Sequence, residues 1–312
     1  MNNSKVGIII LNYMTYDLTI KCLNNLNSMK YENFFVVVVD NASPNNSYDL
    51  ICKYVSEQKL KYEVYLIRAE RNGGYSYGNN LGIRRAEDLG ADYIMIMNND
   101  VFIPNDCFLN KMVDILDKNI NIAMVGPGVV QKKELVELPL RFQRPVASKW
   151  LLSNILLPFA ILLNKYLRRR MQSRKSCMKV YAVSGCCFFA RTSVLKKIGY
   201  FDEDVFLYGE ELILGEQLYK EGYDVYFVPD LLVYHNHSAT ISSVYDYKKI
   251  GDLLIKSHML YFSKYRKDVS KAMRFMIMCS EYVREKMHMP LIILMKNGLK
   301  YFKKLKCVWQ DW

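Results

Sequence analysis

Runs of β-branched and aromatic residues alternate with helical patterns through the first 130 residues, and few folds accommodate that order. Residues 6–11, 34–40, 62–68 and 93–97 are apolar and read as strands. Between them, residues 16–29, 47–58 and 78–89 carry apolar side chains at spacings of three and four; Leu18, Cys22, Leu23 and Leu26 share one helical face. Near-continuous apolar strands joined by crossover helices imply a parallel sheet buried on both faces. Ligands of such open sheets lie beyond the carboxyl ends of the strands. The polar residues that follow each strand are therefore the ones to read.

Asn12-Tyr13 follows the first strand and Asp40-Asn41-Ala42-Ser43 the second. Asn72-Gly73-Gly74-Tyr75 follows the third and Asn98-Asn99-Asp100 the fourth. Asn, Asp and Gly also make turns and helix caps, so each cluster alone is open to either reading. All four fall on one rim.

Residues 131–180 break the alternation with Pro139, Pro145, Pro158 and Arg168-Arg169-Arg170, which reads as an insertion or lid. Regular structure resumes at 181–190, then a helix at 192–198, Gly199-Tyr200-Phe201-Asp202-Glu203, and a helix at 209–221 stopped by Gly222. From residue 245 the chain is helical and basic, and no internal repeat is present. The domain boundaries expected are 1–240 for a catalytic domain with its insertion at 131–180, and 241–312 for a basic helical extension.

The chain carries 43 Lys+Arg against 31 Asp+Glu, a net charge of +12. Residues 141–180 hold 10 basic side chains and no acid, and residues 241–312 hold 15 against 6, so the remainder is net acidic. An anionic partner belongs to these two segments. Apolar residues 150–163, flanked by Lys149, Lys165 and Arg168–Arg170, and the cationic stretch 261–306 suit the plane of an anionic membrane leaflet; an oligomer interface, including a homodimer, or a solvated lid is the alternative. The apolar stretch 150–163 falls short of the roughly 20 residues a spanning helix needs. Eight cysteines without C-x-x-C spacing read as reduced thiols, and the start of the chain does not read as an export signal, which places the protein in the cytoplasm, peripheral on the inner face of the membrane. Nucleic acid is not expected as a partner. No recognition motif joins the basic residues to aromatics, and the rim clusters would go unexplained.

Taken in order, Asn12-Tyr13, Asp40-Asn41-Ala42-Ser43, Asn72-Gly73-Gly74 with Gly78-Asn79-Asn80-Leu81-Gly82, Asn98-Asn99-Asp100, Ser184-Gly185, Gly199 to Glu203, Glu210-Glu211 and His235 resemble the family 2 glycosyltransferases over about residues 5–240. Within that family the sequence is most similar to bacterial enzymes of capsule, O-antigen and exopolysaccharide assembly, of the rhamnosyl- or galactofuranosyl-transferase type. The resemblance implies a GT-A fold, an αβα sandwich around a Rossmann-like mixed sheet. It also implies a divalent metal, Mn2+ or Mg2+, and an inverting transfer from a UDP- or dTDP-sugar to a lipid-linked saccharide.

The resemblance further implies roles for particular residues. Asp100 and His235 take the metal, with His237 as a fallback ligand. Asn98-Asn99-Asp100 stands where the family has D-x-D, so an amide replaces the first carboxylate and the metal is held less tightly. Glu210-Glu211 stands at the family's E-D position, with Glu211 as the base. Asp40 meets the N3–H of a pyrimidine. Asn12, Asn41, Gly73, Gly74, Asn79, Asn80, Asn98 and Asn99 line the nucleotide-sugar, although helix capping explains one of Asn79 and Asn80 equally well. A family member that binds the donor without transferring it is the alternative that Asn98 suggests.

Overall fold

The computed structural model describes residues 3–130, 139–157, 176–235 and 247–290. In chain order the elements are β1 (Val6–Asn12), α1 (Tyr16–Leu26), β2 (Phe34–Asp40), α2 (Ser47–Glu57), β3 (Glu63–Arg68), α3 (Gly74–Asp88), β4 (Tyr93–Asn98), β5 (Val101–Phe102), α4 (Phe108–Lys118), β6 (Ile122–Val130), α5 (Ala147–Ile155), β7 (Met178–Val180), β8 (Cys187–Arg191), α6 (Thr192–Lys197), α7 (Glu210–Lys220), β9 (Asp224–His235), α8 (Tyr247–Leu260) and α9 (Lys271–Val283). They form two compact units, Met1–Arg144 with Leu167–Asp246, and Pro145–Tyr166 with Tyr247–Trp312.

The first unit holds one mixed sheet in the order β3-β2-β1-β4-β8-β6-β9-β5, with β7 also paired to β9. β1 to β4 run parallel, as the apolar runs predict, while β8 lies antiparallel between β4 and β6. Every residue of β2 is buried, so the sheet carries helices on both faces. On one face Ile8, Ile10, Val36, Val38 and Met95 pack with Leu23 and Leu26 of α1 and Phe108 and Met112 of α4. On the other, Ile9, Val37, Val39, Ile94 and Ile96 pack with Ile83 and Ala86 of α3 and Leu214 and Leu218 of α7. Alternate side chains of each strand thus feed opposite cores.

Register places the polar clusters. Asn12 pairs with Asp40, Leu11 with Asn98, Asp40 with Arg68, and Val101 of β5 with His235 at the end of β9. One departure from the sequence reading touches this rim. Helix α3 begins at Gly74 rather than at residue 78, and the Gly74 N–H donates to the Asn72 side-chain oxygen at 3.1 Å. Within the stretch 181–190, β8 starts at Cys187 after a turn at Gly185, and Ala182 pairs with Arg141 through an isolated bridge.

Helix α3 lies unusually close to the sheet because glycines face it. A Cβ on Gly78 would stand 2.4 Å from Leu11 Cδ1, and one on Gly82 2.3 Å from Ile9 Cγ2. Ile9 is a β-branched residue on a buried strand and has no room to turn aside. Gly82→Ala should therefore destabilise the protein by about 1–3 kcal/mol, despite alanine's better helix propensity, as read by urea unfolding.

In the second unit α5 packs against α9, so the helical stretch 147–155, read from sequence as part of an insertion in the first domain, shares a core with the C-terminal helices. Trp150, Asn154, His258 and Arg284 converge on the buried carboxylate of Glu281. The Trp150 indole donates to Oε1 at 2.5 Å, Asn154 at 2.8 Å, Arg284 Nη2 reaches Oε2 at 2.7 Å, and His258 Nδ1 lies 2.9 Å from Oε2. Burial by itself would raise this carboxyl, but the hydrogen bonds and charges of His258 and Arg284, with the Trp150 bond, hold it at about 2. A depressed carboxyl stabilises above its unfolded value, about 4.3 for Glu, and that stability is lost as pH falls toward the folded value. Glu281→Gln should lower thermal stability at neutral pH, and its deficit against wild type should shrink between about pH 5 and about pH 2.

Candidate active site

At the head of β2, Asp40 is 1% exposed and both its oxygens are engaged. Asn12 Nδ2 donates to Oδ2 at 2.7 Å, the Ser43 hydroxyl to Oδ2 at 2.7 Å, and the Ser43 N–H to Oδ1 at 2.8 Å. Asn12 Oδ1 accepts from Thr19 at 2.9 Å, and Asn99 Nδ2 donates to Thr15 and Thr19 at 2.9 and 3.0 Å. The strand ends of β1, β2 and β4 are thereby stitched to α1. Ala42 takes a left-handed φ of 55° so that Ser43 can turn back onto Asp40. Asn12, with no exposed surface, and Asn99 orient Asp40 and the turn.

The next cluster divides in the same way. Asn41 Nδ2 donates to Asn72 Oδ1 at 3.0 Å and to Gly74 O at 3.1 Å, while its buried Oδ1 has no partner among the described residues. Gly74 has φ +85° and a Cβ there would meet Phe206 O at 2.1 Å, so only glycine fits where α3 crosses the 206 loop. Gly73 precedes it, and a Cβ there would run into the Tyr77 ring at 2.4 Å. Asn79 donates to Tyr75 O within its own helix. Asn80, also fully buried, clamps the segment that follows Gly199: its Nδ2 donates to Phe201 O and Glu203 Oε1, and its Oδ1 accepts the Phe201 N–H at 3.1 Å. Its part is to hold that loop against α3.

Asp100 sits in the turn between β4 and β5, and antiparallel pairing of β5 with β9 delivers His235 to it. His235 Nε2 lies 3.1 Å from Asp100 Oδ1, with the side chains 7% and 10% exposed. Burial pulls this imidazole down, yet the hydrogen bonds and charges of Asp100 and Cys186 outweigh it and raise the pKa to about 10. With the imidazole proton released, which metal binding requires, one carboxylate oxygen and one imidazole nitrogen at this spacing suit a divalent cation whose other positions are filled by diphosphate oxygens. Among the described residues no cluster of three or more His, Cys, Asp or Glu side chains is arranged to hold a metal alone, so these two fit a metal only with substrate oxygens as co-ligands. Asn98 donates its N–H to Cys186 O at 2.9 Å. His237 lies outside the described residues.

Glu210 and Glu211 open α7 behind two consecutive left-handed residues, Tyr208 at φ 67° and Gly209 at φ 84°. Glu210 is 6% exposed, and its Oε2 has no hydrogen-bond partner among the described residues. Burial, then the charge of Glu211, raises its carboxyl well above the usual range. Glu211 is also raised by burial, but backbone N–H groups of Glu211, Gly185 and Gly209 oppose that rise. The Gly185 N–H donates to Glu211 Oε1 at 3.0 Å. Both neighbouring carboxyls are thus raised, and backbone N–H groups oppose the rise at Glu211.

One three-residue turn joins these parts. Gly185 donates to Glu211 and accepts from the Tyr75 hydroxyl at 2.5 Å; Cys186 accepts from the Asn98 N–H through its carbonyl, and its thiol hydrogen-bonds His235 and lies 3.3 Å from Ser184 Oγ. A Cβ on Gly185 would stand 2.8 Å from Glu211 Oε1, so glycine is required for that approach. Sequence reading passed over Tyr75 and Cys186. Neither carries a local signal, since Tyr75 follows a glycine pair and Cys186 stands in a turn just before an apolar strand. The Tyr75 hydroxyl acts on Glu211 through the Gly185 peptide, which makes it a positioning residue. Tyr75→Phe should lower turnover about three- to tenfold, the effect of one lost hydrogen bond, while leaving the apparent KM for donor within a factor of two or so; steady-state kinetics over donor concentration checks both.

The profile of the family "Glycosyl transferase family 2" matches residues 7–199. The chain is 32% identical over 133 residues to the dTDP-rhamnosyl transferase RfbF of Shigella flexneri, covering 42% of this chain and 40% of that protein. It is 26% identical over 210 residues to the low-salt glycan biosynthesis hexosyltransferase Agl10 of Haloferax volcanii, covering 66% and 59%. It therefore spans only about two to three fifths of the length of these relatives. In fold it is similar to the mannosyltransferase PcManGT of Pyrobaculum calidifontis in complex with GDP-Man and Mn2+, with TM-score 0.59, 17% identity, and coverage of 90% and 69%. TarS 1-349 of S. aureus in complex with UDP-GlcNAc gives TM-score 0.56 at 17% identity, covering 90% and 72%. With that profile spanning most of the sheet, and the polar rim in family order along it, the chain belongs to glycosyl transferase family 2 and has the GT-A fold.

Proposed function

We propose that this protein transfers a sugar from a UDP- or dTDP-linked donor to a hydroxyl of a growing, lipid-linked bacterial surface glycan, with inversion at the anomeric carbon. The observation that carries this reading is the convergence on residues 184–186. Glu211 is held by the Gly185 N–H, while Asn98 and His235, which flank Asp100, both reach Cys186. A candidate base and the candidate diphosphate side are thus braced against the same turn.

A single displacement needs a base on the face opposite the leaving diphosphate. Glu211, at the start of α7 and facing backbone N–H groups, takes the acceptor proton. Its raised pKa makes it a better proton acceptor near neutrality than an ordinary glutamate. Glu210, its carboxyl raised by burial and its Oε2 without a hydrogen-bond partner among the described residues, stands beside Glu211 to meet the substrate. Asp40, fixed by Asn12 and Ser43, orients the pyrimidine, and Gly73 and Gly74 let the backbone approach the nucleotide. Asp100 and His235 hold Mn2+ or Mg2+, which neutralises charge on the diphosphate when bound. The relatives support the donor class: RfbF is a dTDP-rhamnosyl transferase, and the similar solved structures contain UDP-GlcNAc or GDP-Man with Mn2+. The lipid anchor of the acceptor puts the site of action at the inner face of the cell membrane, with the protein peripheral to it. Asn98 in place of a carboxylate favours a second reading, a donor-binding protein without transfer.

Calorimetric titration with UDP, dTDP and GDP, with and without Mn2+, tests the donor side; metal-dependent binding of UDP or dTDP that Asp100→Ala abolishes is expected. With a matched donor and acceptor, Glu211→Gln should lower kcat by about two orders of magnitude or more and leave donor affinity nearly unchanged. In the wild type, kcat should rise with pH through an acid limb above the ordinary Glu value of about 4.3. Turnover of Glu211→Gln within a few fold of wild type would remove Glu211 from the base role. Donor binding without any turnover in the wild type would favour the second reading.

A further inference from the structure

Helix α9 is amphipathic in the opposite sense to the helices around the sheet. Its inward face is largely polar: Ser280 and Glu281 are buried beside Ile277, and Glu285 of the following turn is buried in line with them. That face is pinned by the Glu281 network to Trp150, Asn154 and His258. Its outward face is apolar. Phe275 is 60% exposed, Met276 43%, Tyr282 59%, Val283 36% and Met287 64%, with Ala272 and Cys279 exposed between them. These positions recur at three and four, so they form one stripe running the length of the helix. A buried ion network therefore holds a helix with its greasy side toward solvent, where the hydrophobic effect alone would turn it inward.

The charge around the stripe identifies its occupant. Residues 247–290 contain ten Lys/Arg and four Asp/Glu. All four acids are taken up inside the unit: Asp252 by Lys286, Asp268 by Arg266, and Glu281 and Glu285 by Arg284. Lys248, Lys256, Lys267 and Lys271 are exposed. No described helix is long and apolar enough to cross a membrane. An apolar stripe on a unit whose acids are neutralised and whose lysines face water matches a surface both negatively charged and able to accept side chains a few ångströms deep.

We propose that the stripe of Phe275, Met276, Tyr282 and Val283 on α9, continued by Met287 in the turn that follows it, is the seat by which this protein lies on an anionic lipid surface. The aromatic and methionine side chains enter the interface between headgroups and acyl chains while the lysines meet the headgroups. This deepens the peripheral location given above but does not depend on the catalytic assignment, because the stripe shares no residue with the candidate active site.

The test is co-flotation of the full chain with vesicles of phosphatidylcholine alone and of phosphatidylcholine with phosphatidylglycerol. Wild type should float with the anionic vesicles and not the neutral ones. The variant Phe275→Ser/Tyr282→Ser/Met287→Ser should lose at least about tenfold in partitioning, with its nucleotide binding intact in the absence of lipid. As a measurement independent of lost binding, Phe275→Trp should gain fluorescence quenching by brominated phosphatidylglycerol vesicles beyond that of the wild type's own Trp150, Trp309 and Trp312. The proposal is overturned if wild type ignores anionic vesicles, if the triple variant floats as wild type does, or if the stripe proves to be the contact of a dimer that the triple variant dissolves. Nucleotide titration without vesicles reports separately on the donor site, so failure of either reading is distinguishable from failure of the other.

Discussion

The Gly185 peptide is the interaction on which the candidate active site depends. Its N–H holds Glu211, its carbonyl takes the Tyr75 hydroxyl, and the next residue binds the Asn98 backbone and His235. Contributors from α3, β4, α7 and β9 meet there although more than a hundred residues separate some of them. The turn exists because β8 begins late: a strand continued back through Gly185 would spend these N–H and C=O groups on sheet pairing. Glycine is needed because any Cβ would press on the Glu211 carboxylate it positions.

Behind this turn, the sheet supplies rigidity through two separate cores, and the close seating of α3 through Gly78 and Gly82 brings Tyr75 and Asn80 within reach of the loops after β8. Many rim amides are consumed in this bracing. Asn12 and Asn99 fix Asp40 and α1, and Asn80 fixes the loop from Phe201 to Glu203. That leaves Asp40, Asp100, His235, Glu210 and Glu211 as the groups with chemistry to offer a ligand. Burial raises two of these together: Glu210 has one oxygen without a partner among the described residues, while Glu211 is steadied by backbone N–H groups.

The second unit follows a different logic. Its interior is organised by a buried carboxylate rather than by an aliphatic core alone, and each polar atom gathered around Glu281 has a partner there, the condition under which buried charge is tolerated. The consequence is orientational. A helix anchored by its polar side presents its apolar side to the surroundings.

The order of strands and helices up to Asn98 and the rim on which the polar clusters stand were legible because they follow from local periodicity and from the rule that ligands meet the carboxyl ends of parallel strands, whereas Glu210, Glu211 and His235 became candidates only through the resemblance to the family. The shared core of the stretch 147–155 with the C-terminal helices was not legible, and neither were the bracing amides, Tyr75 and Cys186. An asparagine that caps, clamps or binds has the same letter. By itself the sequence determined the hydrophobic pattern, and with it the two-faced sheet, and the charge that concentrates toward the end of the chain. Tertiary structure alone decided which polar groups spend their hydrogen bonds inward and which keep them for a ligand, and which face of α9 turns outward. Those outcomes depend on contacts between residues far apart in sequence, whose geometry no local pattern encodes.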